Sequence, residues 1–387
     1  MDPSYLLVLL TRYGGVNPYK GIKKKLISAY HLLIAVILIS GTVLIVYTIY
    51  MSGKTEHITR FGFFGISGSL IIPKAVTFCY YEKVITETIR SVIKMVKKRD
   101  NTIYVERFKS ASRYGWIGYH YMSRLLFIAF ALYFISPLIV DICIMWFTNS
   151  KKPLFLPEPN VDYLLSENPT RSLSFYLITT FNVIWILCLL YPTYSYLIQL
   201  YMVILYINCE LNIITENILV WGNSYKKFKT TDEQLASFKQ IIRDHQEVLR
   251  IMEGLRKAIG FPFLSRCILV PIIMVMLIMA TLKQLKNDVS LAFIAFLGFI
   301  VAVPNELLCC WIGEMLQSTS LAVNESLYEI PWYQMNSKVK KDLLFMMFKT
   351  QQPIMIHYKG YGCLNLKTFM EIMNNAYSLF MFFNTFS

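Results

Sequence analysis

The chain has 387 residues, 55% of them hydrophobic, with 26 Phe, 26 Tyr and a mean hydropathy of +0.46. No soluble domain buries that much apolar surface, so the composition excludes a water-soluble protein and predicts an all-α polytopic membrane protein. The net charge of +14 does not predict a nucleic-acid partner, because the basic residues sit in short loops between apolar spans, as cytoplasmic loop bias places them.

Met1 to Gly21 carries Pro3 and Pro18 and lacks a long apolar core, so no cleaved signal is expected. The first span is Ile27 to Met51, and Lys20, Lys23, Lys24 and Lys25 before it hold the N-terminus in the cytoplasm. A second span, Thr59 to Tyr81, is glycine-rich (Gly62, Gly65, Gly68), and its Lys74 is close enough to the inner end to snorkel. Glu82 to Arg113 is strongly basic and reads as a cytoplasmic extension of the helices on either side. The third span, Trp116 to Phe147, contains Pro137 and Asp141, and a proline-rich outer loop follows from Ser150 to Thr170.

Ser172 to Trp221 is apolar throughout, with Pro192 in its middle. Two spans here would place Lys226, Lys227 and Lys229 outside, against the basic-loop rule, so one long helix reaching past the bilayer is the expectation. Gly222 to Leu255 reads as soluble helix, and Ile259 to Leu282 as the fifth span, with Arg266 near its inner end. Lys283 to Asp288 forms a tight outer turn before the sixth span, Val289 to Gln317, which Pro304 and Glu306 interrupt. A glutamate at that depth needs a partner, and an ion pair with a base from the cytoplasmic side is expected. Glu325 to Thr350 is too charged to cross but amphipathic, with Val339, Leu343, Leu344 and Met347 at helical spacing. The sequon Asn324-Glu325-Ser326 then falls in the cytoplasm and should stay unmodified.

The last span runs from Leu366 to the chain end with only Lys367 and Glu371 charged. Asn374, Ser378 and Asn384 share a broad face that suits other helices or water better than lipid. The count is seven transmembrane helices in a single membrane domain, 1–387, with an intracellular N-terminus and a cytoplasmic helical anchor region.

No catalytic constellation accompanies these spans. His31, His57, His120, His245 and His357 are scattered, and there is no HExxH, phosphate loop or nucleophile elbow, so neither an enzyme nor a cofactor is expected. The eight cysteines lack paired spacing, so no disulfide framework and no metal site are expected.

Several C-terminal residues resemble the insect odorant receptor family. They are Cys310-Trp311-Ile312-Gly313-Glu314, Tyr328 with Pro331-Trp332-Tyr333, Gln352-Pro353, then Leu364, Leu366, Phe369 and Ala376-Tyr377-Ser378. Ala376 stands where Ser is usual, and Phe383 and Asn384 replace a leucine and a basic residue. Of the rival gustatory pattern only Tyr377 matches. The resemblance implies a ligand-gated, non-selective cation channel subunit that detects a small volatile. The short 222–255 segment resembles a tuning receptor, which implies a heterotetramer with a shared odorant co-receptor, in the plasma membrane of an olfactory neuron dendrite.

By the same resemblance, helices 1–4 (27–221) mainly sense ligand, and 222–387 carries helices 5–7, with the anchor and the pore-lining last helix. The pore or gate residues are then Phe380, Phe383 and Asn384. The volatile's pocket falls among Phe64, Ser67, Tyr133, Phe134, Thr179, Phe181, Phe293 and Phe296, where aromatic enclosure supplies the affinity. The alternatives are a gustatory-type channel, or a seven-helix receptor that signals through a cytoplasmic partner without its own pore.

Overall fold

The computed structural model describes residues 70–99, 106–111, 173–225, 230–287, 289–358 and 361–385, with isolated helical positions between 33 and 50 and between 113 and 124. Its elements are α1 (Ile71–Arg99), α2 (Leu173–Ser224), α3 (Thr231–Asn287), α4 (Val289–Glu329), α5 (Ser337–Thr350), the hairpin β1 (His357–Tyr358) and β2 (Tyr361–Cys363), and α6 (Leu366–Thr385). The expected single helix over 172–221 is present as α2.

Length dictates how these helices are used. At about 1.5 Å per residue, α2, α3 and α4 reach roughly 80, 85 and 60 Å, against about 30 Å of bilayer hydrocarbon. Each helix therefore continues well beyond any membrane crossing. Pro262 and Pro271 lie inside α3 and Pro304 inside α4, and none of them ends its helix. The expected interruption of the sixth span is thus absent: α4 continues through the exposed Pro304, which removes one backbone donor without ending the helix. The sequence also placed 325–329 with the amphipathic segment, whereas α4 runs to Glu329 and breaks ahead of Pro331, before a short 3-10 turn at Trp332–Gln334.

The buried core sits where these extensions meet. Met202, Ile204, Tyr206, Ile207, Leu211, Ile214 and Ile218 of α2 are buried among Phe238, Val248 and Ile251 of α3, Val92 and Met95 of α1, and Leu316, Val323 and Leu327 of α4. Close approach is essential to it. A Cβ on Gly222 would lie 2.1 Å from the Ile330 side chain. α1 enters the core past Tyr81, whose φ of −106° and ψ of 18° break the helical geometry.

Polar contacts fix the register of the core. Lys98 at the end of α1 donates to the buried Asp244 at 2.5 Å, and Gln240 donates to the same carboxylate at 2.8 Å. Arg107 pairs with Glu216. Trp221 stacks on Phe238 at 4.6 Å and donates its indole N–H to the Gln234 carbonyl. The Tyr225 hydroxyl donates to Gln334, and Gln234 donates back to the Tyr225 carbonyl at 2.7 Å, so the 3-10 turn is tied to the α2–α3 junction.

α5 is capped by Asn336, which accepts the Lys338 N–H, and it buries Val339, Leu343, Met346, Met347 and Thr350. Leu344, expected on that face, is instead exposed together with Phe345 and Phe348. The reason is phase: Met346 and Thr350 complete the buried stripe and turn Leu344 outward. The sequon is built into the packing. Asn324 accepts a hydrogen bond from Thr350 at 3.0 Å, while Ser326 is buried and donates to the Val323 carbonyl.

Two outcomes follow. Endoglycosidase treatment of the full chain from a eukaryotic membrane should leave its mobility unchanged, because a glycan on Asn324 requires α4 and α5 to separate. His245 is buried in α3, and desolvation followed by the Lys349 charge lowers its pKa to about 4. The unfolded chain then binds more protons than the folded one between about pH 6.5 and 4, so stability is complete above that window and falls as pH drops through it. The loss reaches up to about 3 kcal/mol. Melting curves across that range should flatten in His245→Gln.

Candidate pore helix and its seat

The last helix is held at its base by three devices. Asn365 caps it, accepting the Thr368 N–H at 3.0 Å, and the Thr368 hydroxyl reaches back to the Cys363 carbonyl. Glu314 of α4 accepts the Leu366 N–H at 3.2 Å, which places a carboxylate at the positive end of the α6 dipole. Gly313 lets the two backbones touch, since a Cβ there would lie 1.9 Å from the Leu364 carbonyl oxygen. The Gly313-Glu314 pair of the sequence thus has a mechanical role: one residue admits the chain, and the next fixes its first free N–H.

The hairpin ahead of α6 was not foreseen. It pairs His357 with Cys363 and Tyr358 with Tyr361, a register shift that Gly362 inside β2 accommodates at a φ of 58°, and the Leu364 N–H donates to the Ile356 carbonyl at 2.8 Å. The signal that could have found it is the pair of glycines, Gly360 and Gly362, among short aromatic runs.

Above its base, α6 lies in a groove between α3 and α4. Ile372 and Ala376 pack with Val270, Met274, Val275 and Met279 of α3, and Phe299, Val303 and Phe380 close over them. At the foot of the groove Arg266 of α3 and Glu306 of α4 form an ion pair in which both side chains are buried, with a second contact of 3.5 Å between Nε and Oε1. This is the partner that the sequence required for Glu306.

Only one side of α6 is covered. Met370, Asn374, Tyr377, Ser378 and Met381 are exposed, and Asn374, Ser378, Met381 and Thr385 fall in one stripe. Of the sequence-predicted gate residues, Phe380 is half-buried against the groove, while Phe383 and Asn384 are exposed at the helix end. Phe382 and Phe383 contact edge to face at 5.5 Å.

Among the predicted pocket residues, Phe293 and Phe296 lie on the exposed side of α4, in line with Ile300, Leu307 and Trp311, while Ala292 and Ala295 face the protein. Phe181 of α2 is half-buried, and Thr179 is described only in its backbone. Phe64, Ser67, Tyr133 and Phe134 lie outside the described residues. No group of three or more metal-ligating side chains occurs among the described residues.

A family model described as 7tm Odorant receptor matches residues 55–377. The chain belongs to this family. It is 26% identical to Odorant receptor 2a of Drosophila melanogaster over 160 residues, which is 41% of this chain and 40% of that protein. With Odorant receptor 10 of Aedes albopictus it shares 21% identity over 169 residues, covering 40% of this chain and 45% of the relative. The chain therefore spans less than half the length of these curated relatives in the aligned region. Its fold is that of the insect olfactory receptor OR5 from Machilis hrabei, solved in complex with eugenol, with a TM-score of 0.78 at 12% identity over 100% of this chain and 98% of that one.

The base of α6 yields a paired expectation. Gly313→Ala forces a side chain onto a backbone carbonyl and should cost on the order of 3 kcal/mol, seen as a large fall in melting temperature or loss of surface delivery. Gly298→Ala meets only the flexible Leu277 side chain at 3.1 Å and should be tolerated.

Proposed function

We propose that this chain is an odorant-gated, non-selective cation channel subunit that assembles with a shared co-receptor around a pore lined by the final helices. Family membership supports the sensory role. The exposed polar stripe of α6 carries the pore reading. Asn374 and Ser378 sit well inside a helix of 20 residues, about one bilayer crossing, and they face away from their own chain. Amide and hydroxyl groups at that depth need partners that lipid does not provide, and water in a pore or a neighbouring subunit provides them.

In this arrangement the chain crosses the membrane seven times, with its N-terminus inside. Phe380, Phe383 and Asn384 bound the outer mouth, where bulky apolar groups keep a closed pore dry. The exposed Leu344, Phe345 and Phe348 of α5 meet another subunit below the membrane. The ligand is a small, largely apolar volatile enclosed by Phe64, Ser67, Tyr133, Phe134, Thr179, Phe181, Phe293 and Phe296. Eugenol in the OR5 structure gives the scale of such a ligand. Ligand opens the pore by binding the open arrangement more tightly than the closed one.

Whole-cell recording under a panel of volatiles tests this reading, with the chain expressed alone and then with an insect co-receptor. The expected result is a current within milliseconds of odorant, only with the co-receptor and without added nucleotide. An extracellular N-terminus, or silence from co-expressed and surface-delivered protein across the panel, refutes it.

A further inference from the structure

We propose that Arg266 and Glu306 are positioning residues whose ion pair sets the width of the α3–α4 groove and thereby holds α6 in the closed-pore position. The conduction half of this statement rests on the pore reading of α6.

The argument is one of register. Val270 and Met274, which carry α6 on the α3 side, lie one and two helical turns beyond Arg266 on the same face. Val303 and Phe299, which carry it on the α4 side, lie one and two turns from Glu306. The charged pair is therefore the lowest rung of the two-sided surface on which α6 rests. Arg266 lies 21 residues before the end of α3 at Asn287, and Glu306 lies 17 residues after the start of α4 at Val289, so the turn that the sequence placed from Lys283 is confined to the junction between them. That is about 32 Å along α3 and about 25 Å along α4, so the pair and the turn close the groove at opposite ends. Between them the described side chains packed in the groove are apolar, and such contacts slide and re-pack with little directional penalty. A guanidinium–carboxylate contact with two closely placed atom pairs has no such freedom: it fixes distance and orientation together.

A buried ion pair is poor evidence of stability, because replacing both partners with apolar residues is often neutral. Its value here is geometric, and that separates the two roles experimentally. The discriminating variant is Arg266→Met with Glu306→Leu, which removes the charge and the fixed geometry while filling the same space. The charge swap, Arg266→Glu with Glu306→Arg, is the rescue.

Each is made in the full chain carrying Ala376→Cys, a buried site on α6, and expressed with the co-receptor. Two readouts are taken on surface-delivered protein: the maleimide labelling rate at position 376, by peptide mass spectrometry, and the odorant-free current relative to the odorant-evoked maximum. The apolar double variant should keep its melting temperature yet label about tenfold faster and raise the odorant-free fraction by a similar factor, and the swap should return both toward the parent. Parental labelling and resting current in the apolar double variant would show that the pair only stabilises the fold, and would overturn the proposal. Faster labelling with an unchanged resting current would instead refute the pore reading of α6 on which the conduction half rests.

Discussion

Helix length is the constraint on which the rest of this molecule depends. Helices of 52, 57 and 41 residues cannot be contained in a bilayer, so a large part of each must be solvated or covered by protein. The chain covers them with one another. The result is an apolar core outside the crossing region, made from the lower halves of α2, α3 and α4 and the end of α1, with α5 laid against it. The charged residues that keep those halves from being lipid-soluble are placed at the margins of the core, as with Lys98 on Asp244 and Arg107 on Glu216. Rigidity then passes from this core to the membrane along continuous helices, without a loop in between.

α6 occupies the opposite position in that economy of contacts. It is the shortest of the apolar helices among the described residues, covered on one side by the α3–α4 groove and open on the other. Its lower end is fixed by backbone-level contacts through Gly313, Glu314 and Asn365, and its upper end carries exposed aromatic rings. An element clamped at one end and half-seated along its length is suited to tilting about that clamp. That is the mechanical property asked of a helix that must take two positions without unfolding.

The sequence made much of this legible because membrane insertion constrains composition over long stretches. The unbroken α2 followed from where the basic residues would otherwise have fallen, and the need of Glu306 for a basic partner followed from the cost of a lone charge at depth. What stayed hidden depended on phase or on close approach. Leu344 stands at a spacing compatible with burial, yet Met346 and Thr350 set the buried stripe one step around the helix. Pro304 signals a break when read alone, yet α4 continues through it. The role of Gly313 depends on a carbonyl about fifty residues later in the chain, which no local pattern contains. That Phe293 and Phe296 share the outward phase of Ile300 and Trp311 likewise follows only from how α4 is rotated in the fold.

The packing around Asn324 bears on how the orientation of such a chain is read. A natural acceptor sequence is ordinarily a reporter of side, glycosylated when it has faced the lumen and bare when it has not. Here the asparagine amide is held by Thr350 and the serine lies beneath the surface, so in the folded chain the site is closed whichever side of the membrane it faces. Orientation must be read from acceptors introduced into polar turns that no helix covers, with the native triplet serving as a built-in blank.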